Sequence, residues 1–329
     1  MKNTKIKIFV KMAFFLAILL ILIQIFDVVV LNAAIKHQNK EALGTEIVDL
    51  DSMREKVDTI DILALGDSES YTSFSPMDLW EKEGVTSFVL AKSGQRISDA
   101  YHILKNNLKR QNPKAVFLET NMLFETYGRL HDYTHNLKNA LFYDMALFKY
   151  HNIWKILFEK DEQRYQSYKG FNFYAVKAPY TGDKNYMKEE KYHKPFLYGN
   201  KLIFEKIVKM CKKRKIKLIM YSAPSPNNYS KSTHDFLTAL AKENNLEYID
   251  MNLMVDKLGI DWNIDSLDNG DHVNVSGTNK IMNYFSSYIK AFKIKDKRRD
   301  KKYSDWNKEL SEYACLLYTS DAADERYTV

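Results

Sequence analysis

Ser68 lies in Gly-Asp-Ser-Glu-Ser at 66–70, directly after a short apolar run at 60–65. A serine on a strand-to-helix turn has an exposed hydroxyl, and neighbouring backbone N–H groups face the same point. Such a hydroxyl becomes a nucleophile when a base takes its proton. The segment Asp-Asn-Gly-Asp-His-Val-Asn at 268–274 offers that base as His272, with Asp268 and Asp271 as carboxylates that could orient the ring. Two further segments also come directly after apolar runs. Gly94, in Lys-Ser-Gly-Gln at 92–95, would let a backbone N–H approach a ligand closely. Asn121, in Glu-Thr-Asn at 119–121, carries an amide that can donate to a developing oxyanion. In chain order these are nucleophile, glycine, asparagine, then acid and histidine.

Two carboxylates compete for His272. Consecutive side chains on an extended segment point apart, so Asp271 is poorly placed to hold the ring of its neighbour. Asp268, with Gly270 permitting a tighter bend, is preferred, and Asp271 is the alternative. The remaining histidines read more plainly. His131 and His135 are four apart and could face one side of a helix, but no third ligand goes with them, so neither a metal nor a cofactor is expected. His151 falls in the same region. The two cysteines, Cys211 and Cys315, make no disulfide framework, and Cys211 reads as a buried inert thiol on a helix. No nucleic-acid-binding motif appears.

The elements that position these residues are read from the apolar pattern. Runs at 60–65, 87–90, 115–118, 217–220 and 247–250 are short and bounded by turn residues, which predicts buried strands. Helical spacing at 97–108, 202–210 and 236–241 falls between several of them. Strand–helix alternation predicts an α/β fold with a parallel sheet covered on both faces. Ligands of such sheets bind at the carboxyl ends of the strands, where Ser68, Gly94 and Asn121 are expected. The segment at about 124–199 breaks the pattern and is rich in aromatic residues, from Tyr127 and Tyr133 through Trp154, Phe158 and Tyr165 to Tyr174. A structureless loop of that length is improbable, so a mostly helical insertion is expected there, as a packed aromatic core, a lid over the sheet edge, or both.

The chain has 329 residues, of which 45% are hydrophobic and 28% charged, enough for one sizeable core and against wholesale disorder. Residues 12–31 are apolar except for Gln24 and Asp27, and about 20 such residues cross a bilayer as a helix. Lysines at 2, 5, 7 and 11 precede that run and predict a cytoplasmic N-terminus with the remainder outside the cell, and an uncleaved anchor is preferred to a cleaved signal peptide because Leu31-Asn32-Ala33 is a poor cleavage site. The expected organisation is a cytoplasmic tip and membrane anchor at 1–33, a linker at 34–59, the α/β domain at 60–292 and a basic tail at 293–314. The stretch at 315–329 resembles the conceptual translation of a sequencing adapter and is set aside as a scar. Part of the net charge of +7 sits at 212–217 and 293–302, read as a solvated helix end and a solvated tail, with contact to an anionic partner as the sharper alternative.

The four segments together resemble the SGNH (GDSL-like) hydrolase family over roughly 60–289, interrupted by the insertion. The stretches Tyr-Ser-Ala-Pro-Ser-Pro at 221–226 and Asn-Val-Ser-Gly at 274–277 look like its membrane-anchored bacterial branch, akin to D-alanyl-transfer and alginate O-acetylation proteins. The resemblance implies a flavodoxin-like sheet, with Ser68 as nucleophile, Gly94 and Asn121 as oxyanion partners and His272 as base. It further implies an extracytoplasmic serine esterase or O-acyltransferase. Its partner would be a cell-envelope polysaccharide or teichoic-acid-like polymer, beside a multi-pass membrane O-acyltransferase. The chain departs from the family pattern at three points. Glu69 stands where a leucine usually comes after the serine, and Glu-Thr-Asn lacks the flanking Gly and Asp. Asn269 occupies the place, three before the histidine, where the family has Asp. That last departure motivates the alternative function: a catalytically idle glycan- or acyl-carrier-binding partner of a membrane acyltransferase.

Overall fold

The computed structural model of the protein describes residues 2–37, 47–153, 167–188 and 195–326. Trp154, Phe158, Tyr165 and most of the 34–59 linker's first half lie outside the described residues. Among the described residues, α1 (Lys2–His37) and α2 (Ile47–Arg54) precede the first strand. Next in the chain are β1 (Ile62–Gly66), α3 (Ser68–Ser73), α4 (Pro76–Glu83), β2 (Ser87–Ala91), α5 (Ile97–Asn107) and β3 (Ala115–Glu119). After β3 come α6 (Arg129–Phe142) and α7 (Ala146–Lys149). The alternation resumes with α8 (Tyr198–Lys213), β4 (Lys217–Ser222), α9 (Lys231–Asn244) and β5 (Glu247–Asp250). Three helices close the chain: α10 (Val255–Leu258), α11 (Val275–Ile289) and α12 (Ser304–Arg326). By its internal contacts the chain divides into two units, 1–50 with 130–165 and 51–129 with 166–329.

The second unit holds a five-stranded sheet in the order β2-β1-β3-β4-β5, parallel throughout. This is the flavodoxin-like order, as expected for an α/β fold of this type. Every residue of β1, β2 and β3 is buried, which is why these strands read as continuous apolar runs rather than alternating ones. Ala64, Phe117 and Tyr221 point to one face, where Phe74 and Phe285 of α11 meet them. The Phe117–Phe285 ring centroids are 5.1 Å apart and the Tyr221–Phe285 centroids 5.3 Å. Leu63, Leu65, Val116 and Leu118 are buried on the other face, the side of α5 and α8. Burying each such side chain contributes about 1.5–3 kcal/mol, so the sheet is a firm platform for the loops that leave its strands.

The order reverses between β1 and β3. The chain passes from β1 outward to β2, then returns to the other side of β1. Loops leaving the carboxyl ends of β1 and β3 therefore diverge and leave a crevice between them. The residues after those ends are Asp67-Ser68 and Thr120-Asn121.

The segment read as a basic tail is packed instead. Lys297 Nζ lies 2.6 Å from Asp61 Oδ2, and α12 buries Trp306 and Tyr313. The Trp80 and Trp306 rings stand 5.3 Å apart, and Trp80 Nε1 donates to Asn307 Oδ1 at 3.0 Å. Tyr303, Trp306 and Tyr313 fall at helical spacing, an apolar face hidden in the sequence by the lysines around it. The same helix continues to Arg326, into the stretch set aside as a scar.

In the first unit, α1 contains a stretch, Ile6–Lys36, long and apolar enough to cross a membrane, with a mean hydropathy of 2.9 in its most apolar window. Near its end, Asp27 Oδ1 accepts from the N–H of Leu147 at 2.7 Å, at the start of α7. Asp49 of α2 is paired with Lys149 and accepts from Tyr143 Oη at 3.1 Å. The insertion is thus helical at its start. Its later part, 172–185, runs without regular structure in the second unit.

Candidate active site

Ser68 opens α3 directly after β1, with Asp67 as the cap: the Asp67 carboxylate accepts from the N–H of Glu69 at 3.0 Å. An Asp at this position satisfies a backbone donor that the first helical turn leaves open. Gly66 has to be glycine, because a Cβ there would lie 2.6 Å from the Cβ of Ser70 and 2.7 Å from that of Glu119. The strand end and the serine turn are therefore pressed directly onto β3. Ser68 is half-buried, and among the described residues its hydroxyl makes no hydrogen bond.

Asn121 comes after β3, across the crevice. Its Nδ2 donates to Asp67 Oδ2 at 2.9 Å, so one amide hydrogen ties the two strand ends together. Its backbone N–H donates to Glu119 Oε2 at 2.8 Å, and Tyr229 Oη donates to Glu119 Oε1 at 2.6 Å. Gly94 comes after β2 with a φ of +59°, and a Cβ there would lie 2.6 Å from Tyr127 Oη. Gln95 anchors that turn by donating to the carbonyls of Gly66 at 2.7 Å and Leu90 at 3.0 Å.

His272 sits on a loop closed at its base by the Ser266–Val273 bridge and by the N–H of Leu267 donating to the carbonyl of His272 at 2.9 Å. Asp268 embraces the histidine twice. Its Oδ1 accepts from the His272 backbone N–H at 2.6 Å, and its Oδ2 lies 2.6 Å from Nδ1. Asp271 Oδ2 lies 3.6 Å from the same Nδ1. The extra residue between Asp268 and His272 is absorbed by two left-handed residues, Asn269 at φ +60° and Gly270 at φ +92°. Asn and Gly are the residue types that adopt this conformation most readily. An ionised carboxylate only accepts, so Nδ1 carries the proton and Nε2 keeps its lone pair.

A third loop holds the histidine loop against the serine turn. After β4, Asn228 Nδ2 donates to Glu69 Oε1 at 2.7 Å and to Asp271 Oδ1 at 2.6 Å. Ser225 Oγ donates to the carbonyl of Asp271 at 2.6 Å, and Asn227 Nδ2 to that of Asn269 at 3.1 Å. The end of the insertion braces the other side: the N–H of Asn269 donates to the carbonyl of Ala178 at 3.0 Å, and that of Val275 to Tyr174 at 2.8 Å. The structure thus gathers Ser68, Asn121, Asp268, Asp271 and His272 at the carboxyl edge of the sheet, with Gly94 just past the adjacent strand.

The charges beneath the serine are unusual. Burial pushes the Asp67 carboxyl up to about 6, against the pull of its hydrogen bonds from Glu69 and Asn121. Burial, and then the neighbouring carboxylates, raise Glu69 and Glu119 well above the ordinary range. Glu69 Oε2 is buried with no hydrogen-bond partner. Burial, and then Tyr174, push Tyr71 up to about 12, and it reaches Ser93. One ligand atom from each of Glu69, Asp271 and His272 lies within 4.8 Å of the others, a spacing a metal ion could use. Asn228 already donates to both of those carboxylates, which is the role such an ion would take. The other histidine pair is used locally, with His135 Nε2 3.1 Å from Asn139 Nδ2.

Sequence reasoning passed over Asn228, Tyr71 and Tyr229, and met Ser225 only inside the stretch at 221–226. Asn228 carried a usable signal, since it comes after β4 by the same rule that singled out Ser68 and Asn121.

No family model matches the chain, and no curated protein matches it. Among solved structures, a GDSL-like lipase from Bacteroides thetaiotaomicron aligns over 76% of this chain and 99% of its own, with a TM-score of 0.40 and 12% identity. The psychrotrophic esterase EstA from a Pseudoalteromonas species aligns over 71% and 98%, with a TM-score of 0.38 and 15% identity. An acetyl xylan esterase aligns over 70% and 100%, with a TM-score of 0.38 and 13% identity.

Proposed function

We propose that this protein is a membrane-anchored serine esterase or O-acyltransferase of the SGNH type, working through an acyl-enzyme on Ser68. The observation that carries the reading is the double hold of Asp268 on His272, in a loop tied to the serine turn through Asp271, Asn228 and Glu69. A carboxylate on Nδ1 orients the ring and supports the imidazolium that a general base becomes, and unlike the His234–Asp250 pair this one stands in a loop tied to the serine turn. His272 Nε2 takes the proton of Ser68, and Ser68 Oγ attacks the ester carbonyl. The N–H groups of Ser68 and Gly94 and the free amide hydrogen of Asn121 receive the oxyanion. His272 then returns the proton to the leaving alcohol. Water or a sugar hydroxyl, deprotonated by the same imidazole, releases the acyl group. The long apolar α1, preceded by lysines, supports a single-pass anchor with the α/β unit outside the cell, where esters of envelope glycopolymers are the accessible substrates.

A second reading has its own support. The Ser68 hydroxyl has no hydrogen bond to His272, as an idle binding cleft would permit, although catalytic contacts also tighten only when substrate binds. A fluorophosphonate probe separates the two. In membranes carrying the full chain it should label Ser68, located by peptide mass spectrometry, and labelling should disappear in Ser68→Ala. Absence of labelling in the folded wild type would favour the idle partner.

A further inference from the structure

In the first unit, α6 is folded inside out. Leu130, Tyr133, Leu137 and Leu141 recur at spacings of three and four, so they form one stripe along the helix, and that stripe is exposed. Leu130 is 78% exposed and Tyr133 68%. On the opposite side, Asp132 and Asn139, seven apart, are buried. A helix at a water-facing surface does the reverse, turning its apolar stripe inward and its polar residues out.

The height along α1 at which this helix ends is fixed by contacts of the segment that follows it. The apolar run at 12–31 rises about 30 Å at about 1.5 Å per residue, matching the hydrocarbon thickness of a bilayer. Asp27 lies four residues, about 6 Å, inside the outer end of that run. Its carboxylate caps the N–H of Leu147 at 2.7 Å, so the start of α7 stands at the outer boundary of the hydrocarbon. The rings of Phe142, the last residue of α6, and Phe148 of α7 are 4.8 Å apart, so the end of α6 stands there as well. At that depth α1 itself presents Phe26, Val28 and Val29 outward.

We propose that α6 is an interfacial helix that lies in the outer leaflet of the bilayer, with Leu130, Tyr133, Leu137 and Leu141 immersed among headgroups and upper acyl chains. The medium outside it is lipid, which resolves the inversion: the exposed stripe is solvated by hydrocarbon and the polar face is turned to the protein. Tyr133 and Phe148 then fall in the zone where aromatic side chains concentrate at membrane interfaces. A helix with such a stripe and with Arg129 and Lys138 on its flanks binds a surface in this way. The inference rests on the reading of α1 as a membrane anchor.

The test uses the full chain with Cys315→Ser, reconstituted in phosphatidylcholine–phosphatidylglycerol vesicles. A bimane label is placed singly by Leu137→Cys, Leu141→Cys, His131→Cys or, within the anchor, Ile18→Cys. Lipids brominated near the headgroup should quench the labels at 137 and 141 at least twofold more than the label at 131, and aqueous iodide should give the opposite order. If bromolipid quenches a label at 18 but neither 137 nor 141, the anchor stands and the interfacial helix is refuted. If 137 and 141 are shielded from iodide yet unquenched by bromolipid, protein covers the stripe and the proposal also fails. If 18 is not quenched by bromolipids placed at mid-chain, the anchor reading itself is wrong.

Discussion

Around Ser68 the carboxyl groups are sealed in, and around His272 they are open. Asp67, Glu69 and Glu119 lie beneath the serine turn with almost no contact with solvent. The side chains of Asp268 and Asp271 remain 41% and 42% exposed. The two regions are joined by one amide, that of Asn228, which touches a carboxyl group from each. The contrast reflects what each region has to do. The serine turn must be rigid, and the carboxyl groups packed beneath it are fixed there by hydrogen bonds while burial raises them above their ordinary range. On the proposed mechanism the histidine loop supports an imidazolium as it forms, which takes a charged carboxylate, and solvent access removes the desolvation cost of keeping one.

The largest expected effects test whether the two regions act as one device. Ser68→Ala and His272→Ala should each lower ester turnover by about 10⁴-fold or more, with melting temperatures little changed, because neither side chain fills the core. Turnover by Ser68→Ala close to wild type would break the account of the serine turn. Next comes the span of the crevice. Asn121→Ala removes an oxyanion donor and the tie to Asp67, and kcat should fall about 10²–10³-fold. A change confined to KM would mean that Asn121 holds ground-state substrate only.

The strands and the serine turn were legible because their signals are local. Apolar runs at 60–65, 87–90 and 115–118 overlap the strands found at 62–66, 87–91 and 115–119, and Asp67-Ser68 comes directly after the first strand. The carboxylate partner of His272 was legible only as a choice between Asp268 and Asp271, because it depends on two left-handed residues, Asn269 and Gly270, that shorten the path from Asp268 to His272. The link through Asn228 joins residues 159 and 43 positions away, a separation that periodicity does not reveal. The packing of α12 was masked because charge around Trp306 and Tyr313 outweighed their spacing. The inverted face of α6 could not be read at all, since an amphipathic pattern states that a stripe exists and not what solvates it.

The smallest effect concerns the sealed side. A carboxyl group raised by burial lends stability that is complete below its unfolded value of about 4 and lost as pH rises through its folded value. For Asp67 that window runs from about 4 to about 6, and burial raises Glu69 and Glu119 in the same direction. Glu119→Gln can keep both hydrogen bonds, accepting from Asn121 and donating to Tyr229. Its melting temperature relative to wild type should therefore rise by a few degrees between pH 5 and pH 9. A difference that stays constant with pH would show that the sealed carboxyls do not titrate as described.

The central claim is that the open carboxylate at 268, and not the one at 271, makes His272 a base for Ser68. It is tested most directly by the rate of Ser68 acylation by a chromogenic ester, measured side by side for the wild type, Asp268→Asn and Asp271→Asn. Asp268→Asn should fall about 10³–10⁴-fold, because the amide favours the wrong imidazole tautomer. Asp271→Asn should stay within about tenfold of wild type, since its side chain stands farther from Nδ1 and mainly answers Asn228. The reverse order, or equal losses, would contradict the assignment.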